Sequence, residues 1–124
     1  MAVHMDGRVA NLKHLIARTP IDIVEALHPI PMGDLSIGEA LALWKEKVIW
    51  LGFPGAIYEL GTQATREFAL QLFNEIGTGE RLTLAMSTEN QVSNENLRTL
   101  TAVLEHAELP LTPEVVERIA RSAA

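Results

Sequence analysis

His4 and Asp6 stand two residues apart at the end of a short apolar run. In an extended chain that spacing turns both side chains to one face, and a histidine beside a carboxylate suits either a divalent metal or a proton-transfer pair. Glu25 and Glu89 follow two later apolar runs, and either could complete a mixed nitrogen and oxygen set for zinc or a similar ion. Asp6, Glu25 and Glu89 are therefore the candidate catalytic carboxylates, and His4, Asp6, Glu25 and Glu89 the candidate metal ligands. The plainer reading makes His4 a solvated residue near a terminus and Asp6-Gly7 a turn.

A second group of polar side chains sits in the stretch from Glu25 to Asp34. Pro29 and Pro31 set φ and remove two donors, and Gly33 permits a tight turn, so the loop is stiff. It presents Glu25, His28 and Asp34 to a ligand, a metal or a helix cap. Burying Glu25 unpaired would be costly, so it either reaches water or has a partner. His28 reads more readily as a loop residue than as a ligand, and Asp34 as a cap, with Ser36, of the helix that follows. Phe53 and Asn90 close the set of candidate substrate-binding residues with His28 and Asp34, since each follows an apolar run.

The elements that would hold these groups alternate. Residues 1–5 read as a short strand and 8–18 as a helix with Leu12, Leu15 and Ile16 on its apolar face. Residues 21–27 form a β-branched strand. Ser36 and Glu39 make a capping box for a helix that buries Ile37, Ala40, Leu41 and Trp44. Residues 47–53 run Val-Ile-Trp-Leu without polar interruption, as in a strand covered on both faces. Residues 62–76 carry the most regular helical period of the chain, through Thr65, Phe68, Ala69, Leu72, Phe73 and Ile76, and Gly77 ends it. A fourth strand over 81–86 and a helix over 93–106 follow, the latter with Leu97, Leu100, Thr101 and Leu104 in line. Thr112 and Pro113 then start a terminal helix over 113–121.

The bulk composition excludes several classes. The chain has 124 residues, 48% of them hydrophobic, so it reads as a single folded domain spanning 1–124. It has no cysteine, which removes thiolate metal sites and disulfides and leaves the cytoplasm as the expected compartment. Its net charge of −6 and scattered basic residues argue against a nucleic-acid or membrane surface. No run approaches the ~18 apolar residues of a membrane span.

Strand alternating with helix demands an α/β fold with a parallel sheet. Its four βα units either place helices on both faces, as in a doubly wound domain, or curl into half of a (β/α)8 barrel, which takes about 250 residues when complete. In either fold, ligand groups gather at the C-terminal ends of the strands, where His4, Asp6, Glu25, His28, Phe53, Glu89 and Asn90 fall.

The motifs His4-Met5-Asp6-Gly7, Ile21 to Ala26 with Pro29-Ile30-Pro31-Met32-Gly33-Asp34, Val48 to Pro54, and Thr88-Glu89-Asn90 leading into Glu95-Asn96-Leu97 occur in one order along the chain. In that order they resemble the C-terminal half of the uroporphyrinogen decarboxylase superfamily. The family comprises (β/α)8 barrels that include a cofactor-free decarboxylase and zinc-dependent methyltransferases acting with corrinoid proteins. The resemblance implies a half-barrel of four βα units with a short C-terminal helix, a decarboxylase (lyase) or methyltransferase type of chemistry, and closure by a second copy or by a separate N-terminal half. Where the methyltransferases carry His-x-Cys, this chain has His4-x-Asp6, and no thiolate follows the last strand. What the resemblance leaves is an oxygen-rich metal or substrate site. The other reading is a truncated, non-catalytic fragment or a self-associating structural module.

Overall fold

The computed structural model describes residues 1–86 and 92–122. The chain divides into two compact units, one of Met1–Pro54 with Arg81–Ser87 and one of Gly55–Glu80 with Thr88–Ala124.

The first unit holds four strands, β1 (Ala2–His4), β2 (Ile23–Leu27), β3 (Val48–Phe53) and β4 (Leu82–Met86). They are all parallel and lie in the order β1-β2-β3-β4. A doubly wound sheet reverses its strand order at a switch point. This sheet has no reversal. Helices α1 (Lys13–Ala17) and α2 (Ile37–Leu43) cross between the first three strands and touch each other, so both lie on one side of the sheet.

Alternation along each strand then sorts the side chains. Val3, Val24, Ile49 and Leu82 are lateral neighbours on one face, and Val24 and Ile49 are completely buried. His4, Glu25, Trp50 and Thr83 are lateral neighbours on the other, where Trp50 keeps 39% of its surface exposed. The apolar run of β3 is therefore covered on one face and open on the other, which corrects the expectation of a strand buried on both.

The first helical segment also departs from its expected phase. It opens with a 3-10 turn over Ala10–Leu12 before α1 begins. The tighter winding of that turn rotates the following side chains. Val9 and Ile16 are buried, whereas Leu12 and Leu15 are 49% and 57% exposed. Asp34 does not cap the helix that follows it. Its Oδ1 accepts the Ala10 N–H at 2.9 Å, across 24 residues, and so serves the first helical segment. Ser36 alone caps α2 through Glu39 N–H, while the Glu39 carboxylate takes Lys13 Nζ at 2.5 Å.

The end of the sheet from which the strands start is closed by two cations. Lys47 is buried and donates to the carbonyls of Thr19 (2.8 Å) and Ile21 (2.7 Å), tying the turn before β2 to the start of β3. Arg81 donates to the carbonyls of Leu41 and Trp44, both at 2.7 Å, and of Lys47 at 3.1 Å. It satisfies carbonyls left open at the C-terminus of α2, where a positive charge is also favoured by the helix dipole.

The second unit contains α3 (Gly55–Tyr58), α4 (Thr62–Glu75), α5 (Asn94–Glu105) and α6 (Pro113–Arg121). Its buried side chains include Ala69, Leu72, Phe73, Leu100, Val103 and Ile119. A polar link joins three of its helices: Asn96 Nδ2 donates to Tyr58 O at 2.8 Å, and Thr65 Oγ1 lies 3.4 Å from Asn96 Oδ1. The inward line of α5 is thus Asn96, Leu100 and Val103, rotated from the expected Leu97, Leu100, Thr101 and Leu104, because the buried amide faces the interior. Thr112 and Pro113 start α6 as their types require, the Thr112 hydroxyl accepting Val115 N–H at 3.2 Å. Among the described residues no helix is long and apolar enough to cross a membrane.

Candidate functional site

The open face of the sheet carries His4 and Glu25 as lateral neighbours. His4 ends β1 and Glu25 is its direct lateral neighbour on β2. Their side chains meet, with His4 Nδ1 2.5 Å from Glu25 Oε2. A carboxylate can only accept here, so Nδ1 carries the hydrogen, and the pair holds the ring in one orientation. His4 Nε2 lies 3.7 Å from Asp6 Oδ2, near enough for charge attraction and too far for a hydrogen bond. The hydrogen bond and charge of Glu25, with the weaker pull of Asp6, raise the His4 pKa above its ordinary value. The site thus holds an imidazole oriented through Nδ1, with Nε2 on the side of Asp6.

Trp50 lies beside Glu25 on β3, and Thr83 beside Trp50 on β4. The exposed indole gives the row a flat apolar surface next to charged groups. Burial of Trp at this lateral position would need cover that the described residues do not provide.

His28 joins the same face by a less direct route. A register shift between Glu25 and Leu27 breaks the β2–β3 ladder, and Ala26 within it takes a left-handed φ of 61°. That conformation is costly for a residue with a Cβ and is held by its surroundings. It turns the Ala26 carbonyl to accept from His28 Nδ1 at 2.9 Å. The imidazole then rests on Gly52, where a Cβ would lie 2.5 Å from Nε2. Gly52 is two residues along β3 from Trp50, so its face is the open one.

The remaining expected residues are placed as follows. Phe53 is fully buried, because strand alternation turns it away from the open face. Asp34 is engaged as the cap of the first helical segment, not directed to the sheet. Glu89 and Asn90 lie outside the described residues. His14 is exposed on α1, and His106 is exposed at the C-terminal cap of α5. Among the described residues no group of three or more His, Asp or Glu side chains could hold a metal ion. The two nitrogens of His4 are each turned toward a separate carboxylate, so His4, Asp6 and Glu25 form a chain of pairs and not a shared centre.

Sequence reasoning did not find Gly52 or Ala26 as parts of the site. The signal for Gly52 was a glycine inside a strand pattern, which marks a close approach of another group. Ala26 had no signal, since alanine is not a residue type suited to that backbone.

The second unit has a cavity of about 270 Å³ lined by Phe73, Asn74, Gly77, Thr78, Leu111, Thr112, Pro113 and Val116. None of these side chains is ionisable, so it offers no acid–base chemistry. Burial pushes the Tyr58 hydroxyl up to about 12, which keeps it protonated.

No family model, no curated protein and no solved structure matches this chain.

Proposed function

We propose that the chain is a uroporphyrinogen decarboxylase-like half-barrel and that its open sheet face is one wall of a small-molecule site worked by proton transfer. The observation that carries this reading is the lateral row His4, Glu25, Trp50 and Thr83 across four parallel strands in unreversed order. Unreversed order with helices on one side is the arrangement a (β/α)8 barrel repeats twice, and its inner face is the one that helices leave uncovered. In the reaction, Glu25 orients the ring through Nδ1, and His4 delivers the proton on Nε2. For a decarboxylation the carbon–carboxyl bond breaks, its electron pair stays on carbon as CO2 leaves, and that carbon takes the His4 proton. The methyltransferase branch is the alternative chemistry of the same fold, and the described donors do not form a metal centre for it.

Closure needs a second half, and we propose a second copy. Among the described residues strands β1 and β4 are the two sheet edges, and an unpaired edge favours pairing. Leu12 and Leu15, exposed at the β1 end, would be covered by the same association. This apolar surface also favours the second reading, a self-associating module without chemistry.

The test is CO2 release from uroporphyrinogen, with methyl transfer to a corrinoid assayed in parallel, by the full chain and by its His4→Gln variant. Turnover by the wild type that the variant loses is the expected result. A wild type that performs neither reaction overturns the enzymatic reading.

A further inference from the structure

Edge strands that stay solitary are blunted by charged side chains, proline or a bulge. β4 has none of these. It runs Leu82-Thr83-Leu84-Ala85-Met86 and pairs with β3 in unbroken register over its whole length. Thr83, Ala85 and Met86 are exposed, and among the described residues no strand lies beyond β4. β1 forms the opposite edge and is held from the β2 side, by Met5 N–H on Glu25 O at 2.8 Å and by the His4 ring on the Glu25 carboxylate.

Alternation along each strand also sorts the backbone groups. Ile49 N–H bonds Arg81 O, so Arg81, Thr83 and Ala85 turn their backbone groups to β3, and Leu82, Leu84 and Met86 turn theirs outward. In β1 the Met5 bond to Glu25 turns Val3 and Met5 to β2 and leaves the backbone groups of Ala2 and His4 outward. All four strands are parallel and their order is unreversed, so a two-fold rotation can set β1 of each copy against β4 of the other. Both seams then run parallel and no edge remains. Pairing of β4 with β4 would leave both β1 edges open.

We infer that two copies join by two equivalent parallel seams, β4 of one on β1 of the other, and that a site at each seam is built from both copies. This rests on the reading of the chain as a half-barrel closed by a second copy. Across a seam, Val3 of the second copy shares the buried face with Leu82 and Leu84, and its His4 shares the open face with Thr83 and Ala85. The row His4, Glu25, Trp50 and Thr83 therefore continues past Thr83 into His4 and Glu25 of the second copy. The imidazole and carboxylate come from one copy, the Thr83 hydroxyl and the Trp50 indole from the other.

The experiment places single thiols in a chain that has no cysteine. Thr83→Cys and Ala2→Cys are made separately, since both residues are exposed on the open face. The two proteins are unfolded in urea and refolded together so that copies exchange, then treated with a thiol cross-linker about 8 Å long, the reach from a strand to a diagonal position on its neighbour. Within one copy the two positions are three strand spacings apart, about 14 Å, and beyond that reach. A covalent dimer from the mixture, and none from either variant alone, is the expected result. A covalent dimer from Thr83→Cys alone sets β4 against β4 and overturns the seam, leaving association of two copies standing. A dimer by light scattering that cross-links in no combination overturns it likewise. Ala2→Pro removes an outward N–H and no bond to β2, a placement that an edge strand tolerates. Its circular dichroism should match the wild type while the dimer dissociation constant rises roughly tenfold or more, the scale of a backbone bond lost at each of two seams. Dimerisation of folded Ala2→Pro as tight as the wild type overturns the part of β1, and the cross-links do not depend on that variant. A wild-type monomer at micromolar concentration overturns the seams and the closed half-barrel together. None of these readouts uses turnover, so failure of the enzymatic reading is seen separately.

Discussion

His4 Nδ1 lies 2.5 Å from Glu25 Oε2, across the parallel pair of β1 and β2. This contact raises the His4 pKa and fixes the orientation of the ring. It joins residues 21 positions apart in the chain, and it exists only because Val3 pairs with Val24 beside it.

The first prediction concerns pH. Glu25 raises the His4 pKa in the folded chain above the ordinary 6.5. A group whose folded pKa is raised stabilises the fold fully below its unfolded pKa, and that contribution is lost as pH rises through the folded value. Ring NMR titration should therefore place His4 above 6.5, and Glu25→Gln should lower it. A His4 titration that does not move in Glu25→Gln contradicts the assignment.

Lys47 is buried, with two carbonyl partners and, among the described residues, no carboxylate hydrogen-bonded to it. Removing it strands the carbonyls of Thr19 and Ile21. Lys47→Ala should destabilise the chain by about 2 to 4 kcal/mol, from two lost charge-assisted bonds and a cavity. Urea midpoints measure this. A loss below about 1 kcal/mol would mean that water replaces the ammonium without penalty.

Asn96 bridges helices in the second unit through Tyr58 O and Thr65. Asn96→Leu removes the side-chain amide from Tyr58 O, which still accepts Gly61 N–H at 3.1 Å, and should cost about 1 kcal/mol even though leucine is the better helix former. Thermal or urea unfolding decides which effect wins.

Asp34 supports α1's approach and not a ligand. Asp34→Ala should cost about 1 kcal/mol, as for other lost caps, while leaving the His4 ring titration unchanged. A His4 titration shifted by Asp34→Ala would return Asp34 to the site.

Trp50 is the exposed centre of the face that self-association would cover. Light scattering at micromolar concentration should give a dimer, and Trp50→Ser should give a monomer whose stability differs by less than about 1 kcal/mol. A wild-type monomer contradicts closure by a second copy.

Local rules reached a definite part of this protein. The alternation of strand and helix follows from hydrophobic period alone, and Ser36 and Thr112 cap the helices they precede because a cap bonds within three residues. The pair read from spacing was His4 and Asp6, with Glu25 visible separately as a strand-end group and His28 as a polar side chain in a stiff loop. Tertiary structure decided what each became. Strand register put Glu25 beside both His4 and Trp50, and register depends on pairings 21 and more residues apart that no local period encodes. A shift in that register bent Ala26 into a left-handed turn and laid His28 on Gly52. The same long-range geometry sent Asp34 to Ala10 and buried Phe53. Sequence determined which residues end the strands; packing of one strand on the next decided which of them share a face.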